Sequence, residues 1–404
     1  MRANIKRNNQ KRVVIVGGGL AGLQLALRLR HTDFQVVLVD KNNYNQFPPL
    51  IYQVASAGLE PSSISFPFRR LFQNQRNFYF RMGEALSVDN DERVLHTSFG
   101  TLHYDYLVLA AGATTNFFGN ANIEREALPM KTVTEAMKLR NTVLQNLEKA
   151  ETEDDEHRRQ SLLNIVIVGG GPSGVEIAGA LAEMKRTVVP RDYPDLDANR
   201  MNIYLVNADR RLLKSMDSAS SARAEKDLRE MGVNVMPGYT VVDCRGGQVM
   251  LSDGSSIDAR TVIWVSGIRA STIGGIPQTS IGHAGRVLTD RFNNVKGMAG
   301  VYAIGDQSLI EGDADYPLGH PQLAQVAIQQ ATIGRKRAVA EIGRFKFGGL
   351  SAWLLWLVVH LRSILGVKNK TVIFLNWMWN YFNYKQSLRL ILKSECKTIE
   401  TNKK

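Results

Sequence analysis

Three glycines at a fixed spacing occur twice in this chain, at Gly17, Gly19 and Gly22 and again at Gly169, Gly171 and Gly174. Each set follows an apolar run, Val13-Val-Ile-Val16 or Ile165-Val-Ile-Val168, and opens a stretch compatible with a helix. The pattern predicts a strand, a tight loop and a helix that together cradle a dinucleotide pyrophosphate. The first glycine makes the turn, the second lets the backbone approach the phosphates, and the third lets helix and strand pack closely. The helix N-terminus then offers free N–H groups and the positive end of its dipole. After the first loop, the run Gln35-Val-Val-Leu-Val39 ends at Asp40, an acid placed to accept hydrogen bonds from the hydroxyls of an adenosine ribose. After the second, Met201-Asn-Ile-Tyr-Leu-Val206 ends at Asn207, with Arg210 and Arg211 close behind. A neutral residue beside arginines tolerates a 2′-phosphate that an acid would repel. Equally, Asn207 can bond the ribose hydroxyls with the arginines as surface charge, and both readings stay open.

These loops need sheets to hold them. Residues 12–115 run from the first loop to an apolar strand, Tyr106–Ala110, followed by Ala111-Gly112-Ala113. Residues 164–285 repeat the plan and close on Thr261–Val265 followed by Ser266-Gly267-Ile268. This is an internal duplication of architecture. A third segment carries Gly300–Ile304 and then Gly305-Asp306. A charged stretch, Glu148 to Gln160, reads as a solvated helix end or linker. Alternating strands and helices predict an α/β fold of two Rossmann-like, doubly wound dinucleotide-binding domains, followed by a C-terminal amphipathic, membrane-anchoring helical region. The expected boundaries are 1–118 and 286–340 for the two parts of one nucleotide domain, 119–285 for the other, and 341–404 for the membrane-association region.

Composition narrows the chemistry. Two cysteines far apart, Cys244 and Cys396, fit a reducing compartment and provide neither a CxxC redox pair nor a cysteine-rich metal site, so no metal is expected. The basic N-terminus lacks the apolar core of a secretory signal. No apolar run reaches the roughly 18–20 residues of a spanning helix. Of the net charge of +12, residues 341–404 carry +8, from eleven Lys and Arg against three Glu. Ala352–Leu361 is strongly apolar, with Trp353, Trp356, Leu357, His360 and Ile364 at helical spacing. A second aromatic stretch, Thr371–Tyr384, is flanked by Lys368, Lys370, Lys385, Arg389 and Lys393. Apolar faces, aromatic belts and flanking cations favour an anionic lipid surface as partner and argue against nucleic acid. A buried core helix or a dimer interface, hence a homodimer, is the alternative for the tail.

With both loops and the tail in view, the chain resembles the type II NADH dehydrogenases, single-subunit, non-proton-pumping NADH:quinone oxidoreductases of the FAD-dependent pyridine nucleotide-disulfide oxidoreductase superfamily. The stretches that carry the resemblance span nearly the whole chain: VVIVGGGLAGL, PPLIYQVASAGLEP, YLVLAAGATTNFFG, IVIVGGGPSGVEIAGALAE, VIWVSGIRA, VYAIGDQS, HPQLAQVAIQQ and FKFGGLSAWLLWLVVHL. The resemblance implies FAD in the first unit and NADH, or NADPH, in the second. It puts Gln53 near the isoalloxazine, with Gly112 among the cofactor contacts and Asp306 on the ribityl–pyrophosphate region. It also implies that Glu176 faces the nicotinamide and flavin and assists proton handling. Gln325 and Gln329, four apart on one helix face, would meet the quinone. The implied activity is hydride transfer from NAD(P)H to FAD and then two electrons to a membrane quinone, without proton pumping. The implied place is peripheral, on the cytoplasmic face of the cell membrane.

Two departures stand beside this. In the family the AQxAxQ helix continues into a further segment before an ATIG-type strand, whereas here Gln329-Gln330 runs straight into Ala331-Thr-Ile-Gly334. In the family an acid usually stands where this chain has Asn207. The gap opens an alternative of another class: a membrane-associated nucleotide-binding protein inactive as an oxidoreductase. Another FAD/NAD(P)H reductase is a further alternative, although disulfide reductases and sulfide:quinone oxidoreductases need the paired cysteines this chain lacks.

Overall fold

The computed structural model describes residues 3, 5–313, 328–334, 337–342, 345–383 and 389–391. Two five-stranded parallel sheets dominate. The first runs Val301–Ala303, Tyr106–Leu109, Arg12–Val16, Gln35–Asp40 and Phe78–Met82 from edge to edge. The second runs Leu128–Pro129, Thr261–Trp264, Ile165–Val168, Ile203–Asn207 and Val233–Pro237. The two orders correspond strand for strand, so the duplication expected from the glycine loops is present in three dimensions. Val13 pairs with Val36 and Tyr106, as Ile165 pairs with Ile203 and Thr261.

The central strands are largely apolar because both faces of each sheet are covered. Val13, Ile15, Val36 and Leu38 pack with Leu23 and Ala26 of the helix Leu20–Arg28. Their neighbours Val14, Val16, Val37 and Val39 pack against Leu95 and Leu102. Those two residues belong to an antiparallel meander, Ala85–Asp89, Val94–Thr97 and Gly100–His103. The second sheet repeats this. Ile165 and Ile167 face the helix Pro172–Thr187, and Val166 and Val168 face the meander Val241–Arg245, Gln248–Leu251 and Ser256–Asp258.

Ala113–Thr115 and Ile268–Ala270 leave and re-enter the first unit side by side as an antiparallel pair. The third segment then returns Val301–Ala303 to the first sheet. The charged stretch around residue 153 is the break between two helices, Val133–Thr152 and Glu156–Leu163, the second capped by the Asp155 side chain on the Arg158 N–H.

Towards the C-terminus, a three-stranded antiparallel sheet forms from Ile328–Gly334, Arg337–Ile342 and Phe345–Gly348. It rests on the helix Pro172–Thr187. A Cβ on Gly179 would lie 1.8 Å from the Ile333 carbonyl oxygen, so glycine alone permits this approach. Two helices follow, Leu350–Ser363 and Val367–Asn383. Among the described residues no helix is long and apolar enough to cross a membrane.

Candidate active site

The two glycine loops have the same geometry. Gly17 has φ +100°, and a Cβ there would meet the Ala110 carbonyl oxygen at 2.2 Å. A Cβ on Gly22 would fall 2.0 Å from the Gly17 carbonyl oxygen, whereas one on Gly19 would meet nothing within 4 Å. The second loop repeats each feature: Gly169 at φ +118°, Gly174 against the Gly169 carbonyl oxygen at 1.8 Å, and Gly171 facing open space. Neither following helix has a side-chain cap, since Gly19 and Gly171 hold the cap positions. Their first N–H groups are thus left for an anion. The residue types and the open cradle at Gly19 fit a dinucleotide pyrophosphate.

Asp40 and Asn207 are structural equivalents. The Asp40 carboxylate accepts the Gly18 N–H and the Asn42 N–H, each at 2.7 Å. Burial raises its pKa, partly offset by those two N–H groups. A carboxylate has about four acceptor positions, so capacity remains for ribose hydroxyls. Asn207 accepts the Gly170 N–H at 2.8 Å through Oδ1 and donates through Nδ2 to the carbonyls of Asp209 and Arg211. Its amide therefore shapes the loop that follows the strand. Arg211 donates to the Lys214 carbonyl, and Arg210 is exposed.

Asp306 sits in a short turn, Gly305–Gln307, at the end of Val301–Ala303. The Lys131 ammonium lies 3.6 Å from its carboxylate. Lys131 is carried by the segment that starts the helix Val133–Thr152, where Thr132 and Glu135 form a capping box. Gly112, at φ +67°, accepts the Ser271 N–H on its carbonyl at the crossing between the units.

The richest chemistry lies where five elements meet: Ile51–Ala55, Pro172–Thr187, Ile328–Gly334 and the two C-terminal helices. They enclose a pocket of about 990 Å³, counted to its open mouth. Glu176 is buried in it, and burial pushes its pKa up to about 8, against the lesser stabilisation that the Thr332 N–H and the Trp356 indole give its charged form. The Thr332 N–H reaches Glu176 Oε1 at 3.4 Å. Gln53 donates to the Tyr52 hydroxyl at 2.9 Å and accepts from the Trp377 indole at 3.0 Å, which ties the segment Ile51–Ala55 to the second C-terminal helix. Burial raises the Tyr52 pKa far above its ordinary value, helped by the nearby Glu176. Trp356 stacks on His360 with centroids 4.2 Å apart, and burial pushes His360 down to about 4.

The glutamine pair requires a correction. Gln329 lies in the strand Ile328–Gly334, paired with Glu341, and not on a helix. Gln325 lies outside the described residues. The helix expected at AQxAxQ is thus replaced at its second glutamine by a strand. The physical reason is the run that follows: Gln329-Gln330 leads into Ala331-Thr-Ile, a β-prone run that pairs with Arg337–Ile342. Sequence reasoning brought Gln53 and Glu176 into view but missed Thr332 and the pocket-facing role of Trp356. The available signal was the Trp356–His360 spacing of four, which puts both on one helix face.

Comparison with known proteins follows the same lines. The model of the pyridine nucleotide-disulphide oxidoreductase family matches residues 11–331, and that of the NDH2 C-terminal domain matches residues 330–384. The chain is 31% identical to the type II NADH:quinone oxidoreductase Ndh of Mycobacterium tuberculosis over 418 residues, 93% of this chain and 89% of the relative. It is 26% identical to the mitochondrial internal alternative NAD(P)H-ubiquinone oxidoreductase A1 of Arabidopsis thaliana, over 94% of this chain and 86% of that one. The fold is similar to that of NDH2 from Plasmodium falciparum solved in complex with NADH, with TM-score 0.86, 19% identity and coverage of 95% and 100%.

Proposed function

The chain belongs to the type II NADH:quinone oxidoreductase family, and from that premise we propose how its residues divide the work of an FAD-dependent NADH:quinone oxidoreductase. Gly17, Gly19 and Gly22 cradle the FAD pyrophosphate, Asp40 holds the adenosine ribose, and Asp306 and Gly112 meet the remainder of the cofactor. Gly169, Gly171 and Gly174 do the same for the nicotinamide dinucleotide. FAD, when bound, supplies the redox chemistry between hydride donor and quinone. Residues 1–118 and 286–340 form the FAD unit, 119–285 the nicotinamide unit, and 341–404 the membrane-association region.

The observation that carries this reading is the pocket at Glu176. It joins the helix of the nicotinamide loop to the Tyr52-Gln53 segment and to the C-terminal helices. A carboxyl group kept protonated at neutral pH by burial can donate to a quinone oxygen as that oxygen gains charge. Its apolar and aromatic walls suit a lipid-soluble acceptor. At the loop of the second unit, Asn207 is neutral and Arg210 is exposed, which favours tolerance of NADPH.

The C-terminal helices are apolar on two sides. Ala352, Trp356 and His360 face inward, while Leu350, Leu354 and Val358, at the same spacing, are exposed. Phe374, Leu375 and Trp379 are also exposed. This outward surface, with its cations, supports peripheral docking on an anionic membrane, at the cytoplasmic face, where the quinone partitions. The test is an anaerobic spectrum. The purified protein should show a flavin band that NADH bleaches and a short-chain quinone restores; a band bleached by NADH and left bleached by quinone refutes the acceptor assignment.

A further inference from the structure

Two adjacent phenylalanines, Phe117 and Phe118, follow the strand Ala113–Thr115, where the chain leaves the first unit for the second. Their surroundings differ. Phe117 is half-buried and packs on Trp264, with ring centroids 6.2 Å apart. Phe118 is 65% exposed, meets Trp264 only edge-on at 6.4 Å, and holds a backbone φ of +53°. A bulky residue in the left-handed region is uncommon and costs energy. Burial does not repay that cost, because most of the ring stays in water.

The neighbouring bonds fix the ring where it stands. The Trp264 indole donates to the Asn116 carbonyl at 2.8 Å, and the Asn116 N–H donates to the Gly267 carbonyl at 3.1 Å. The Asn116 side chain accepts the Phe118 N–H at 2.9 Å. The ring lies against Gly267, where a Cβ would meet its edge at 2.9 Å. Just before Gly267, the Val265 carbonyl oxygen and the Ser266 Cα lie 2.7 Å and 2.8 Å from where a Cβ on Gly169 would sit. Phe118 is thus a fixed, exposed aromatic ring beside the second dinucleotide cradle.

Sheet order decides which half of the dinucleotide it faces. Ligands of open parallel sheets lie beyond the C-terminal ends of the strands. The glycine loop after Ile165–Val168 is the pyrophosphate cradle. Ile203–Asn207 flanks that strand on one side and ends at Asn207, the position that meets an adenosine ribose; Thr261–Trp264 flanks it on the other. The chain beyond Trp264, with Phe118 against it, therefore falls on the nicotinamide side. We propose that the Phe118 ring is an aromatic wall for the nicotinamide–ribose half of bound NADH, and that the strained backbone at this residue turns the ring outward to serve it. The inference rests on the reading of the second glycine loop as the nicotinamide dinucleotide loop.

The test is calorimetric titration of the full-length, FAD-loaded protein with two ligands. One is tetrahydro-NADH, which has the shape of NADH but gives up no hydride; the other is ADP, which lacks the nicotinamide and its ribose. Phe118→Ala should raise the Kd for the NADH analogue about three- to tenfold, the loss of one aromatic packing partner, and leave that for ADP within about twofold. Phe118→Tyr, which keeps the flat ring, should bind the analogue within about twofold of the wild type. An equal loss for both ligands would show that the ring only supports the loop, and unchanged binding of the analogue by Phe118→Ala would show that the ring meets no ligand; either result overturns the proposal while the nicotinamide loop stands. If the wild type binds neither ligand, the reading of that loop fails and the proposal with it.

Discussion

Replacing Glu176 by Gln should change how stability depends on pH. Burial lifts the Glu176 pKa from 4.5 to about 8 in the folded chain. Below the ordinary value, both folded and unfolded chains carry the proton. As pH rises, the unfolded chain releases it first and the folded chain keeps it until about pH 8. The stability present at low pH is therefore lost progressively through this window. One pKa unit corresponds to about 1.4 kcal/mol, so between about pH 5.5 and about pH 7.5 the wild type should lose roughly 2–3 kcal/mol that the variant does not. Gln keeps the shape and an acceptor for the Thr332 N–H but has no proton to lose. Urea unfolding of both proteins at the two pH values, compared as a difference, cancels every other titrating group. A difference that stays constant within about 0.5 kcal/mol would show that Glu176 is not held neutral, and the proton-donor role would fall with it. In turnover, quinone-dependent kcat/KM should decline as pH rises through about 8, and the variant should lack that limb.

Four other outcomes follow from the geometry. Gly22→Ala should lower the melting temperature of the apoprotein, because its Cβ would fall 2.0 Å from a backbone oxygen, at a cost of about 1–3 kcal/mol. Gly19→Ala should leave apoprotein melting unchanged but weaken FAD retention, because the space it fills is open only until the pyrophosphate enters; unchanged FAD content after gel filtration would refute the assignment. Asn207→Asp should shift the NADH/NADPH ratio of kcat/KM toward NADH by about tenfold or more, with some loss of stability because Nδ2 donates to two carbonyls; steady-state kinetics with both donors decides it. Leu354→Glu with Val358→Glu should reduce co-sedimentation with anionic vesicles by roughly tenfold or more without altering melting, since both side chains are exposed; undiminished sedimentation would place the membrane surface elsewhere.

Local chemistry made the nucleotide units legible. The glycine triplets and the apolar strands before them encode turns, approaches and packing that depend on nearby residues, so Asp40 and Asn207 could be placed by counting. Boundaries held to within one or two residues, as with Tyr106–Leu109 and Thr261–Trp264. The pocket was less legible because its parts come from four distant stretches. Gln53, Glu176, Thr332, Trp356 and Trp377 share no local pattern and meet only when the C-terminal helices close on the helix Pro172–Thr187. The AQxAxQ segment shows the opposite failure. Its helical spacing was real as a pattern, but pairing with Arg337–Ile342 overrode it at Gln329.

The strand that holds Gln329 also forms one wall of the Glu176 pocket. A strand needs partners along its edge and a surface beneath it. Arg337–Ile342 supplies the first and Phe345–Gly348 extends the sheet. Gly179 supplies the second by letting the Ile333 backbone sit directly on the helix that carries Glu176. The approach is what brings the Thr332 N–H to the carboxyl group and its hydroxyl into the pocket. A side chain at residue 179 would lift the strand and open the pocket wall. Gly179 is thus the residue through which the strand Ile328–Gly334 seats against the helix that carries Glu176.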